Sequence, residues 1–246
     1  MSRQAINRFL TRFQRVRENG GDGTFAIAGS FVCFVALAIW TVLVELHVFL
    51  AADVTIMRTV SLLHSAEMDI FTGIVNYVAA AEVTLLAMLC VSATLWWRGH
   101  PVWRAVSPLL FLLTIPIEFA LKYGINQPLP SATFYRETFR YGLNSIDGVL
   151  HSFPSGHGTR SMYMAILVWY LVRSYGPTSI AVAVRLGLVL LVILSALAKT
   201  YQGHHWPSDM FGGFLLGAAF GLATIAVLAG STRTAHFSNA KRPAVR

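Results

Sequence analysis

Charge is scarce in this chain. Only 12% of its 246 residues are Asp, Glu, Lys or Arg, about half the share of an ordinary soluble domain, which argues against a conventional water-soluble fold. Cysteine is scarcer still. Cys33 and Cys90 both sit inside apolar runs, so there is no disulfide framework, and such buried thiols behave as small hydrophobes that carry no information about redox compartment. Carboxylates are few, 11 Asp and Glu against 19 Lys and Arg. The cations gather at the ends of apolar runs and in the tails, a distribution that suits anionic lipid headgroups and not nucleic acid. No internal repeat, low-complexity segment or second domain is visible.

What the chain does have is long apolar sequence: 55% of it is hydrophobic and its mean hydropathy is +0.60. A bilayer core about 30 Å thick takes about 20 helical residues to cross. Six runs reach that length, Phe25 to Leu46 and then roughly 70–97, 104–121, 158–174, 181–198 and 208–230. The expected fold is all-α, an integral membrane bundle of six transmembrane helices over residues 25–230. Ahead of it, Ile6, Phe9, Leu10, Phe13 and Val16 fall at helical spacing among Arg3, Arg8, Arg12, Arg15 and Arg17. That pattern predicts an N-terminal interfacial helix within residues 1–24, and residues 231–246 read as a basic tail. Between the first two runs, residues 48–66 carry Asp53, Arg58 and His64. They are too polar to cross lipid without satisfied partners and predict a short helix along the membrane surface. The second run is over-long and holds Gly73 and Asn76 near its start, so it is expected to be tilted or broken there.

Orientation follows from the cations. With the N-terminus in the cytoplasm, Arg3, Arg8, Arg12, Arg15, Arg17, Arg98, Arg104, Arg173, Arg185, Arg233, Lys241, Arg242 and Arg246 are cytoplasmic, 13 of the 19. The positive-inside rule therefore favours both termini on that side. The last run carries Gly213, Gly217 and Gly221 at intervals of four, a small-residue face that would let another helix of the bundle approach closely.

Three polar clusters interrupt the apolar chain: Lys122 in LKYGINQPLP, PSGH at 154–157, and AKTYQGHHWPSD at 198–209. Alternation of the six spans puts all three on the extracytoplasmic face. In PSGH, proline suits the first turn of a helix, and the small Ser155 and Gly156 leave backbone N–H groups open to an anion. His157 stands beside that position, where it could give and take a proton. In HHWPSD, Pro207 again suits a first turn. His205 then lies four residues before Asp209 and on its face, so the carboxylate can hold Nδ1–H and leave Nε2 free to attack. His204 is five residues from Asp209 and turned away from it. Lys122 and Lys199 suit a phosphate; taken singly, each also reads as a lysine snorkelling to headgroups. His151, His157, His204, His205 and Asp209 could ligate zinc. The two lysines would repel such an ion, and no cofactor or metal is expected.

In these residues the chain resembles the type 2 phosphatidate phosphatase superfamily, which groups lipid phosphate phosphatases, undecaprenyl pyrophosphate phosphatases and soluble vanadium haloperoxidases. The family signature runs Lys-x6-Arg-Pro, Pro-Ser-Gly-His, then Ser-Arg-x5-His-x3-Asp, and the likeness spans roughly residues 50 to 225. The resemblance implies a nucleophile at His205, an orienting Asp209 and an acid at His157, with Lys122, Ser155, Gly156 and Lys199 on the phosphoryl oxygens. It further implies a metal-independent phosphatase acting on a lipid phosphate monoester or pyrophosphate, expected in a bacterial inner membrane with its site on the extracytoplasmic face. Two positions depart from the signature. The first arginine is Leu129, and the Ser-Arg pair is Ala198 and Lys199; lysine lacks the planar fork of arginine and leucine carries no charge. Arg136, Arg140 and Arg160 are the cations available to compensate, and Arg160, one helical turn after His157, is the first choice. A snorkelling Arg160 is the alternative. The departures leave room for a phosphotransferase using a second acceptor, or for a lipid-binding protein without turnover.

Overall fold

The computed structural model describes residues 21–136, 151–173 and 178–229. The expected interfacial helix, the basic tail and Arg140 lie outside the described residues. Among those described the regular structure is all helical, apart from one isolated bridge between Pro128 and His151.

The first span is α1, Asp22–Glu45. It is followed by α2, Leu50–Ser61, which occupies the segment expected to be a short separate helix. The over-long second run is two helices, α3 Ala66–Val78 and α4 Ala81–Trp97, bent by 40°. The break falls at Ala79 and Ala80 and not at Gly73, because Ser65 caps α3 from outside, accepting from Met68 N at 3.2 Å, and Gly73 is packed inside that helix. The third run is also irregular: α5 Val102–Ala105, a 3₁₀ stretch Ser107–Leu113, then α6 Thr114–Gly124. Pro108 and Pro116 explain it, since each lacks the N–H that an α-helix would use four residues back. The Pro108 carbonyl is satisfied instead by the Tyr163 hydroxyl at 2.9 Å.

The remaining helices are α7 Gly156–Val172, α8 Ser179–Tyr201 and α9 Pro207–Ala229. Among the described residues, four helices are long and apolar enough to cross a membrane: α1, the 107–124 stretch, α8 and α9; the bent α3–α4 pair makes five if it is one span. With 17 residues, α7 reaches about 25 Å at 1.5 Å per residue.

Helix α9 is the central element, 44% buried over its apolar window against 11% for α8, and α7 and α1 pack on it. Its glycines allow this. A Cβ at Gly213 would collide with the Ser155 carbonyl and one at Gly217 with the Thr159 carbonyl, while at Gly221 it would come within 3.1 Å of Ile166. The expected small-residue face is therefore the face on which α7 lies. Gly158 answers from the other side, its missing Cβ 2.8 Å from the Met210 carbonyl. Pressing α7 onto the start of α9 brings PSGH beside HHWPSD.

Candidate functional site

The first helical residue of α7 is Gly156, and Ser155 is its N-cap, with Oγ accepting from Gly158 N at 3.5 Å. Pro154 lies outside the helix, which corrects the expectation that proline fills the first turn: the serine hydroxyl does the capping. Ser155 N donates to the Asp209 carbonyl at 3.0 Å, a direct tie between the two motifs. Pro207 does open α9, as expected.

Ahead of α9, Gly203 takes φ +68°, and a Cβ there would collide with the Phe134 carbonyl. Glycine is required on both counts. That turn directs the two neighbouring histidines apart. His205 Nδ1 lies 3.5 Å from Asp209 Oδ2. His204 Nδ1 faces Lys199 Nζ at 3.3 Å, with the Tyr135 ring 5.2 Å away. Of the pair, then, it is His205 that meets the carboxylate. Among the described residues, His205 Nδ1 and Asp209 Oδ1 have no hydrogen-bond partner, while Asp209 Oδ2 accepts from Trp206 N at 2.9 Å.

Both histidines are held neutral. His205 is pushed well below the ordinary histidine range, first by burial, then by Lys122 and Lys199, with Arg160 adding to the effect. His204 is pushed down to about 3 by burial, then Lys199 and His205. A neutral imidazole has a lone pair to offer at pH 7.

Lys122, at the end of α6, is tied to the site by Nζ donating to the Ser152 carbonyl at 2.9 Å. Its own carbonyl meets His151 Nδ1 at 3.0 Å. Ser152 N donates to the Gln127 carbonyl at 2.9 Å, and Trp206 Nε1 to the Pro128 carbonyl at 2.7 Å, so all three polar clusters are stitched together by hydrogen bonds. Leu129, where the signature has arginine, is 53% exposed. Arg136 is engaged elsewhere: Nε and Nη2 grip Asp69 at 3.0 and 2.6 Å, and Tyr201 donates to the same carboxylate at 2.6 Å. Arg160 does not snorkel. Its side chain is 11% exposed and turns inward, with Nη2 3.3 Å from His157 Nδ1. Among the described residues, no three His, Cys, Asp or Glu side chains gather closely enough to hold a metal ion.

Two buried carboxylates lie outside the three polar clusters of the sequence. Glu118 sits four residues before Lys122, on the same face of α6, with Thr114 Oγ1 donating to it at 3.3 Å. Asp53 on α2 is 2% exposed and accepts from both Ser208 N at 3.0 Å and Ser208 Oγ at 2.6 Å. It thus caps the start of α9 from another helix, one residue before Asp209, where negative charge is favoured. Trp40 Nε1 donates to the Ser208 carbonyl at 3.0 Å. Asp53→Ala would leave two buried donors without a partner, at a cost of about 2 kcal/mol. The melting temperature in detergent should fall by several degrees and activity with it; an unchanged melting temperature would show that the cap is dispensable.

The arrangement is a membrane bundle that gathers two histidines, two buried carboxylates and three cations at one end of its central helices, a constellation suited to an anionic group undergoing nucleophilic displacement. The chain belongs to the PAP2 superfamily, whose model matches residues 101–233, just over half of its length, and it is an integral membrane protein. The Escherichia coli (strain K12) protein YbjG, named as an undecaprenyl-diphosphatase, is 26% identical over 145 residues. That match takes in 57% of this chain and 65% of YbjG, so the chain covers less than two thirds of that relative. Among solved structures, the fold is similar to that of a transmembrane PAP2-type phosphatidylglycerolphosphate phosphatase from Bacillus subtilis. The TM-score is 0.64 at 17% identity, covering 87% of this chain and 98% of the other. Aquifex aeolicus LpxE aligns with TM-score 0.50 at 23% identity, over 70% of this chain and 93% of its own.

Proposed function

We propose that this protein is a metal-independent phosphatase of a lipid phosphate monoester or diphosphate, working through a phosphohistidine at His205. The observation that carries the reading is His205 lying against Asp209 with Lys122, Lys199 and Arg160 around it. Asp209 orients the ring through Nδ1, so that Nε2 attacks phosphorus, and it stabilises the charge the ring gains. Lys122 and Lys199 neutralise the phosphoryl oxygens. Gly156 contributes its place in the first turn of α7, and the Ser155 hydroxyl, which accepts from Gly158 N, keeps its own O–H to donate. His157 serves the leaving group. The family membership and the relative named as a diphosphatase support the substrate class.

In this reading the chain crosses the membrane six times. The bent α3–α4 pair is one crossing and α7 another, its short length letting the site sit just below the surface. Both termini face the cytoplasm and the site faces outward. In a cysteine-free background, Ala132→Cys should react with an impermeant maleimide in intact cells, and Arg98→Cys only after lysis. The reverse pattern would overturn the topology.

Purified protein in detergent should release phosphate from one or more of phosphatidate, phosphatidylglycerol phosphate, a polyprenyl diphosphate and lipid A 1-phosphate. Release should survive EDTA and fall with vanadate, which mimics the five-coordinate phosphoryl centre. Loss of activity to EDTA that zinc restores would revive a metal mechanism.

A further inference from the structure

Arg160 makes three inward contacts. Its Nε donates to the Ala79 carbonyl at 3.2 Å, Nη1 lies 4.0 Å from Glu118 Oε2, and Nη2 lies 3.3 Å from His157 Nδ1. The Ala79 carbonyl is available because α3 ends there, so the bend in the second span supplies the anchor that fixes the guanidinium. Glu118 holds it from α6, with a side chain 9% exposed. The start of α7 is built around this pair. A Cβ at Gly156 would come within 2.6 Å of Glu118 Oε2 and 2.8 Å of Arg160 Nη1, so glycine here makes room for the pair.

The contact with His157 has a chemical consequence. Guanidinium has donors only, so the imidazole nitrogen that meets it must be the one without a proton. His157 is then neutral, with its proton on Nε2, and a second proton at Nδ1 would point at a fixed positive charge, while Lys199, His204 and His205 also face the ring. We propose that Glu118 and Arg160 are positioning residues that keep His157 in this single-proton form and thereby select substrates whose leaving group departs without taking a proton, namely diphosphates over phosphate monoesters.

This rests on the phosphohistidine reading above and narrows it. With a diphosphate, the His205 Nε2 lone pair forms the bond to the terminal phosphorus, and the bond from that phosphorus to the bridging oxygen breaks with its electron pair going to the oxygen. A trianionic diphosphate and neutral His205 give a singly negative phosphohistidine and a dianionic lipid monophosphate. Charge balances with no proton transferred, and His157 Nε2–H need only hydrogen-bond the departing oxygen. Water then adds to the phosphorus as the P–N bond breaks, returning neutral His205 and dihydrogen phosphate. With a monoester, the same displacement would expel an alkoxide, which must be protonated. A neutral imidazole facing Arg160 is a poor source of that proton.

The test compares a polyprenyl diphosphate with the monophosphate of the same alcohol, using purified wild-type protein in detergent. Because general acid catalysis contributes about 100-fold or more where it is needed, kcat/KM should favour the diphosphate by at least about that factor. In the double variant Glu118→Gln/Arg160→Gln, glutamine offers His157 an acceptor as well as a donor. The preference should narrow by about tenfold or more, and the monoester rate should gain a rise toward acid pH. A merely structural pair would lower both rates alike and leave their ratio unmoved. Wild-type rates on the two substrates within about threefold, against that expected factor, would overturn the proposal while leaving the phosphatase reading intact, and this arm decides even if the variant does not fold. Release from neither substrate, with no phosphoenzyme, would overturn the phosphatase reading and this inference with it.

Discussion

His205→Ala should abolish turnover, by on the order of 10⁴-fold or more, because His205 is the imidazole that lies against Asp209, at 3.5 Å. His204 is adjacent in sequence but faces Lys199 at 3.3 Å, on the far side of the turn that Gly203 makes. It therefore cannot stand in. The His157→Ala variant is the informative contrast, since a nucleophile and a leaving-group partner fail differently. It should still form phosphoenzyme from an activated substrate such as p-nitrophenyl phosphate, whose leaving group needs no help, while losing most of its activity on a polyprenyl diphosphate, whose departing oxygen His157 Nε2–H would hold. Equal residual activity in the two variants on the activated substrate would remove the distinction between their roles.

Asp209→Asn should lower kcat by about 10³-fold with little change in KM, because the carboxylate acts on the nucleophile and not on substrate binding. Asparagine keeps a carbonyl oxygen able to accept from Trp206 N, the contact Asp209 Oδ2 makes at 2.9 Å, so the start of α9 should survive. What is lost, on the proposed mechanism, is the carboxylate that would take Nδ1–H as substrate binds and stabilise the phosphorylated ring. The melting temperature in detergent should stay within a few degrees of wild type. A large fall in stability together with unchanged turnover per folded molecule would show that Asp209 is a structural cap and nothing more.

Much of this site is legible in the sequence because its chemistry is local. His205 and Asp209 are four residues apart, so one helical turn fixes their relation, and the same count separates His205 from His204. The glycines of α9 recur every four residues and mark the face on which α7 lies. Less legible is whatever depends on packing between distant segments. Asp53 caps Ser208 across 155 residues, and no spacing rule connects them, although the polarity of residues 48–66 already demands a buried partner. Glu118 leaves a local trace, four residues before Lys122 on one face of α6. The break between α3 and α4 falls at Ala79 and Ala80, neither of them a helix breaker, and Arg160 from another helix takes up the freed Ala79 carbonyl. Pro154 and Ser155 show a finer limit: both suit a helix start, and the tie between Ser155 N and the Asp209 carbonyl fits the helix beginning after the serine.

The central claim is a covalent bond between phosphorus and His205. It is tested most directly by quenching wild-type protein during turnover of a terminally radiolabelled polyprenyl diphosphate, then mapping the labelled peptide by mass spectrometry. An acid-labile, alkali-stable phosphoryl adduct on His205 should form and decay at rates consistent with turnover. Turnover with no adduct, or with the adduct on His204, would contradict that claim.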